Sequence, residues 1–117
     1  MTHAEVVNEA LYQDRTVQDW HRDSFPRSHS AIDLDLMGAC RRCSVPLYLI
    51  EATTNPNKAT SMLWQLASHA GIPAFVIFHN TSVVTSARMI WPERINYTEP
   101  EIRTTLAVIR ERHMGAH

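Results

Sequence analysis

Two short segments of strand length, Ile32-Asp33-Leu34-Asp35-Leu36 and Leu47-Tyr48-Leu49-Ile50-Glu51-Ala52-Thr53, set acids among aliphatic residues, and they constrain the fold more than any other part of the chain. The aliphatic positions ask for burial, whereas a carboxylate among them is costly to bury unless something, often a metal, neutralises it. If the segments pair antiparallel and turn near Cys43, opposed positions keep a constant sum, so Asp35 faces Glu51 and Asp33 faces Thr53. Strand alternation then sets all four on one face. Like charges opposed across strands repel, which argues for a bound cation or a shared proton. The competing reading is an edge hairpin whose acids face water.

A chain of 117 residues with 44% hydrophobic content can bury one core and is too short for two ordinary domains, so a single domain over residues 1–117 is expected. A net charge of −1 provides no global basic field. Any nucleic-acid contact must then come from local clusters, and Arg22 with Arg27, and Arg41 with Arg42, are the candidates. The apolar runs stop at strand length, and Met1-Thr2-His3-Ala4-Glu5 lacks a basic region leading into an apolar stretch. Neither a membrane span nor a signal peptide is expected, and the expected location is the cytoplasm. There the two cysteines, Cys40 and Cys43, are reduced or metal-bound rather than disulfide-bonded. Three isolated glycines cannot form a phosphate-cradling loop, which excludes the nucleotide-binding folds that need one.

Along the chain, residues 2 to about 15 read as a helix, with Val6, Val7, Ala10 and Leu11 on one stripe and Thr2 and Glu5 as a capping box. The stretch from Trp20 to Ser30, with charges, serines and Pro26, reads as an irregular entry to the first strand. After the hairpin, Asn55-Pro56 offers a helix start, followed by Ala59, Met62, Leu63, Leu66, Ala67 and Ala70 at helical spacing and by Gly71 as a stop. Residues 73–79 form a nearly continuous apolar run, the mark of a buried central strand, and the helix before it suits a parallel crossover from the Glu51 strand. A weaker strand is expected over 83–91. A last helix opens on the capping box Thr98 to Glu101, with Ile102, Leu106 and Ile109 toward the core, and the tail Gly115-Ala116-His117 reads as frayed. The order helix, hairpin, helix, strand, strand, helix is an α/β sandwich.

Carboxylates converging at a sheet edge beside a lysine form the minimal apparatus for magnesium-assisted phosphodiester hydrolysis, with the ion activating water and a cation neutralising charge. Lys58 is the sole lysine and falls in the expected first turn of the helix after Glu51, with Gln65 on the same face. The plainer reading makes Lys58 an ordinary solvated side chain.

The sequence Asp-Leu-Asp-Leu over 33–36, a hairpin tip, Pro-Leu-Tyr-Leu-Ile-Glu-Ala-Thr over 46–53, then a helix ending Leu-Ala-Ser-His-Ala-Gly-Ile-Pro before an apolar strand resembles the PD-(D/E)XK nuclease superfamily. The likeness is to small phage-borne and bacterial members that carry a Trp-His-Arg segment, here Trp20-His21-Arg22, and it covers roughly residues 20–80. It implies a restriction-endonuclease-like αβ sandwich, a central mixed sheet flanked by helices, that hydrolyses DNA with Mg2+ or Mn2+. Asp35 would be the first metal-binding acid, Asp33 an auxiliary and Glu51 the acid of the second motif, with Gln65 supporting the site and Glu5 or Glu9 supplying a further acid. Where the family has its lysine, two residues past that acid, this chain has Thr53; the lysine would come from the following helix as Lys58. Cutting both strands of a duplex takes two such sites, so a homodimer would be expected. The rival implication is a catalytically inactive member that binds DNA or a partner protein.

Cys40-Arg41-Arg42-Cys43 at the hairpin end is half of a zinc knuckle, for which His21, His29, His69, His79 or a second chain's cysteines are candidate completions. The alternative is a pair of reduced thiols at a tight turn. A zinc-stabilised interaction domain built on this pair is a third reading of the chain. Arg41 and Arg42 could meet phosphates there or remain solvated. The histidines read as scattered, without a metalloprotease pair on a helix, and Trp64 and Trp91 read as packing groups.

Overall fold

The computed structural model describes residues 16–24 and 34–117. The chain divides into two units, Met1–Asp33 and Leu34–His117. In the first, α1 runs over Thr16–Ser24, so Trp20-His21-Arg22 is helical rather than an irregular entry. The helix expected over 2–15 lies outside the described residues, as do Arg27, His29 and Asp33.

The second unit holds β1 (Leu36–Ala39), β2 (Pro46–Thr53), α2 (Ser61–Ala70), β3 (Ala74–Asn80), β4 (Val83–Trp91), β5 (Ile95–Thr98) and α3 (Glu99–Gly115). Among the described residues these strands form one sheet in the order β1-β2-β3-β4-β5. Only β2 and β3 run parallel; the other three pairs are antiparallel. That parallel pair is the one the crossover argument requires, and α2 is its connection.

Alternation divides the core between two faces. Leu49, Ala74, Val76 and Ile90 meet Leu63 and Ala67 of α2 on one side. Ile50, Phe75 and Ala87 meet Ile102 of α3 on the other, with Leu106 and Ile109 packed beside it. A central strand flanked in this way needs apolar residues at odd and even positions alike, which is why residues 73–79 read as a continuous run. Phe75, fully enclosed, has Tyr48 edge-on at 6.4 Å and Tyr97 at 6.3 Å.

The hairpin has the register that the constant-sum argument gives: Leu36 pairs with Ile50, Met37 with Leu49 and Gly38 with Tyr48, with an irregularity at Gly38/Ala39 toward the tip. The strand itself begins later than expected, at Leu36, and Leu34, Leu36 and Met37 are exposed rather than buried, because β1 is an edge strand. A Cβ on Gly38 would run into the Tyr48 ring, so the aromatic side chain lies over the glycine opposite it.

α2 starts at Ser61 instead of Asn55-Pro56. Asn55 caps a turn of its own: its Oδ1 accepts from the Asn57 N–H at 2.9 Å and its carbonyl from the Lys58 N–H at 3.2 Å. Lys58 therefore sits in a loop, not in a first helical turn. Gly71 closes α2 in the left-handed conformation at φ 69°. The capping box of α3 is formed in both directions, from the Thr98 N–H to Glu101 at 2.8 Å and from the Glu101 N–H to Thr98 at 3.3 Å. β5, which the strand patterns do not mark, adds the last strand by pairing Ile95–Thr98 with Met89–Ser86.

Candidate functional site

The register places Asp35, one residue before β1, beside Glu51 on the α2 side of β2, and the Asp35 Oδ2 accepts the Ala52 N–H at 2.8 Å. From the loop after β2, Lys58 returns to Glu51 with its Nζ at 3.4 Å from Oε1. The Glu51 side chain retains 16% of its exposure and that of Lys58 42%, so the carboxylate is recessed and the ammonium lies at the surface. Glu51 is held above the usual carboxylate range, first by desolvation and next by the charge of Asp35, with Lys58 acting in the opposite sense. Two acids against one ammonium leave net negative charge at a partly desolvated point. Carboxylate oxygens are ligands that a hard divalent cation takes while keeping waters, and Asp35 and Glu51 supply two such groups.

The remaining sequence candidates distribute as follows. Thr53 turns its Oγ1 to the Asn55 N–H at 3.0 Å and so shapes the loop that carries Lys58. Gln65 makes no hydrogen bond to Asp35, Glu51 or Lys58 among the described residues. It lines an open groove of about 630 Å³ with Trp64, Glu93 and Arg94. Trp64 is 44% exposed there, a solvated wall and not the packing group the sequence suggested, whereas Trp91 does pack against the core. In the other unit, Arg22 pairs with Asp19 at 3.2 Å and Asp23 at 3.3 Å, which offsets its charge. Arg41 and Arg42 are exposed at the hairpin turn.

A second group gathers at that turn. Cys40, Cys43, His113 and His117 bring four ligand atoms within 4.8 Å of one another, close enough to hold a metal ion. The histidines are not scattered, then: His113 and His117 stand four apart at the end of α3, and neither His69 nor His79 belongs to the group. His69 instead turns its Nδ1 to the Gln65 carbonyl at 2.8 Å. Nor is the tail frayed, since the N–H groups of Ala116 and His117 bond the carbonyls of His113 and Met114 at 3.1 and 3.2 Å. His117 Nε2 lies 3.2 Å from the Cys40 sulfur, and His113 Nε2 lies 3.3 Å from that of Cys43. Cys40 is buried and Cys43 exposed. The thiol of Cys40 is lowered to about 6, chiefly by the Cys43 backbone N–H, with His117 and the Arg42 N–H adding to it against desolvation. Backbone donors of this kind stabilise the thiolate, the form that binds metal. The signal in the sequence was the His-x-x-x-His spacing at the end of the last helix, with His113 in its last turn and His117 two residues past its end.

No protein-family model matches the chain, and no curated protein and no solved structure matches it either. Its class is therefore the one its own architecture defines, an α/β unit with a mixed open sheet between helices. No helix among the described residues is long and apolar enough to cross a membrane.

Proposed function

We propose that the chain is a metal-dependent nuclease that hydrolyses phosphodiester bonds in DNA. The observation that carries this reading is the convergence of Asp35, Glu51 and Lys58, two carboxylates and the only lysine, across one strand pair and the loop that follows it. A divalent ion, Mg2+ or Mn2+, held by Asp35 and Glu51 would supply activation of water and stabilisation of developing phosphate charge. The Ala52 N–H, bonded to Asp35 Oδ2 at 2.8 Å, would hold that carboxylate beside Glu51 for this role. Lys58, on a flexible stem, can exchange its ion pair with Glu51 for a phosphate oxygen or the attacking water, donating a hydrogen bond from Nζ. Thr53 has no cationic group, and its part is to hold the loop that positions Lys58. The exposed groove beside that loop, with Trp64 and Arg94 on its wall, offers a face on which bases could stack and a charge for the backbone. Two chains acting together would cut both strands.

The test is a cleavage assay on duplex, single-stranded and branched DNA and on RNA, with Mg2+ and then Mn2+, comparing the native chain with Glu51→Gln and Lys58→Ala. Metal-dependent cutting of DNA that both substitutions abolish is the expected result. No cutting on any substrate, or cutting that survives Glu51→Gln, would turn the reading to an inactive module of the same architecture that binds DNA or a partner protein.

A further inference from the structure

We propose that Cys40, Cys43, His113 and His117 hold one Zn2+ in a closed tetrahedral site that fastens the end of α3 to the β1–β2 hairpin tip. This site is separate from the acidic one and does not depend on the nuclease reading.

Geometry is the first argument. Metal bonds of about 2.3 Å to sulfur and about 2.0 Å to nitrogen, at a tetrahedral angle, put a thiolate and an imidazole nitrogen roughly 3.5 Å apart. The two sulfur-to-Nε2 separations are 3.2 and 3.3 Å, and all four donors fall within 4.8 Å of one another. Small adjustments, outward for these two pairs and inward for the wider ones, therefore bring the four donors to tetrahedral spacing. Donor chemistry is the second argument, because two soft thiolates and two imidazoles favour zinc over the oxygen-seeking Mg2+ and Ca2+.

Local structure is the third. The turn that presents the cysteines is set by the hairpin itself, through Cys40 N–H to the Val45 carbonyl at 2.9 Å and Ser44 N–H to the Cys40 carbonyl at 2.8 Å. Ser44 takes a left-handed conformation, φ 63°, to close it. That is uncommon for a residue other than glycine and is found where the surroundings dictate the backbone. On the other side, His113 in the last turn of α3 and His117 two residues past its end bring both imidazoles to the same place, with their rings edge-on at 4.9 Å. Four protein ligands leave no position for water or substrate, so the ion is structural. Between the two sulfurs Arg41 and Arg42 remain exposed, and the site fixes the tip that carries them.

The experiment uses the untagged full chain, purified without chelators or added metal, with zinc measured per chain and the protein then loaded with Co2+ in zinc's place. The expected result is one zinc per chain and a strong tetrahedral cobalt spectrum with thiolate charge-transfer bands. Cys43→Ser and His113→Asn, both at accessible positions and checked for folding by circular dichroism, should lose most of the zinc and weaken the cobalt bands. Glu51→Gln should keep its zinc in full, whatever its effect on cleavage. Folded native chain that carries only traces of zinc and gives a weak octahedral cobalt spectrum would overturn the site. So would full zinc retention in both variants, or one zinc shared between two chains.

Discussion

His117 Nε2 lies 3.2 Å from the sulfur of Cys40, a residue 77 positions earlier in the chain. Nothing local joins these two. They meet because α3 packs along one face of the sheet, through Ile102, Leu106 and Ile109, and ends where the β1–β2 hairpin turns.

Removal of the metal should loosen that junction first. A ligand present at a thousandfold its dissociation constant stabilises the folded state by about 4 kcal/mol. Chelation of the zinc-loaded chain is accordingly expected to lower Tm by many degrees. Hydrogen exchange should rise at 112–117 and at 40–45 before it rises in β3. A Cys43→Ser chain should show almost no change on chelation. Differential scanning calorimetry with and without chelator, read beside exchange by mass spectrometry, checks both.

Glu51 is expected to limit stability rather than add to it. Its carboxyl is raised in the folded state, so between the unfolded and folded values the native chain binds more protons, and stability falls as pH rises through that window. In metal-free protein at neutral pH, Glu51→Gln should therefore raise Tm by a few degrees. The gain should shrink as the pH falls below the folded value, where the native carboxyl is itself neutral. Thermal melts of both chains across acid to neutral pH measure this, and a lower Tm for the variant at neutral pH would contradict it.

Gly38 tests the hairpin. Any side chain there must displace the Tyr48 ring, which is held edge-on against Phe75. Gly38→Val should cost about 1–3 kcal/mol, the range for overpacking a fitted contact. It should also reduce zinc retention, because Cys40 lies two residues further on. Urea unfolding and metal content report the two effects separately.

The capping box of α3 gives a prediction of opposite pH sense. Thr98→Ala should cost about 1 kcal/mol, typical of a lost N-cap. Glu101 is held below its ordinary value by the backbone and side chain of Thr98. Its contribution is therefore present above the unfolded carboxyl value and is lost as pH falls through the folded one. Melts of native and Glu101→Gln chains should differ at neutral pH and converge in strong acid.

Much of this unit was legible from its residues. Hairpin register followed from arithmetic, because a turn near Cys43 keeps the sum of opposed positions constant, and a slip by one position would have turned Glu51 to the other side. The central strand, the Gly71 stop and the Thr98 capping box are local signals that tertiary context did not override. Where tertiary context decided, the reading failed. Asn55-Pro56 satisfies the rules for a helix start, but Asn55 spends its oxygens on a turn that returns Lys58 to Glu51. β5 has four residues in which Asn96 and Thr98 face out, too short and too polar to show as a strand by itself. Leu34 and Leu36 are aliphatic yet exposed, since position at the edge and not hydrophobicity set their burial. The second half of the Cys/His group was visible as a spacing, but which of seven histidines would meet the cysteines depended on where α3 ends.

The junction of the hairpin turn with the end of α3 also alters the chain as a polymer. The pair Cys43 and His113 is separated by 70 positions, and the stretch between them contains β2, α2, β3, β4, β5 and most of α3. An ion bridging these residues closes a ring around nearly the whole sheet. Its donors assemble only after the strands are ordered and α3 has docked, so metal capture would be among the last events of folding and metal release among the first of unfolding.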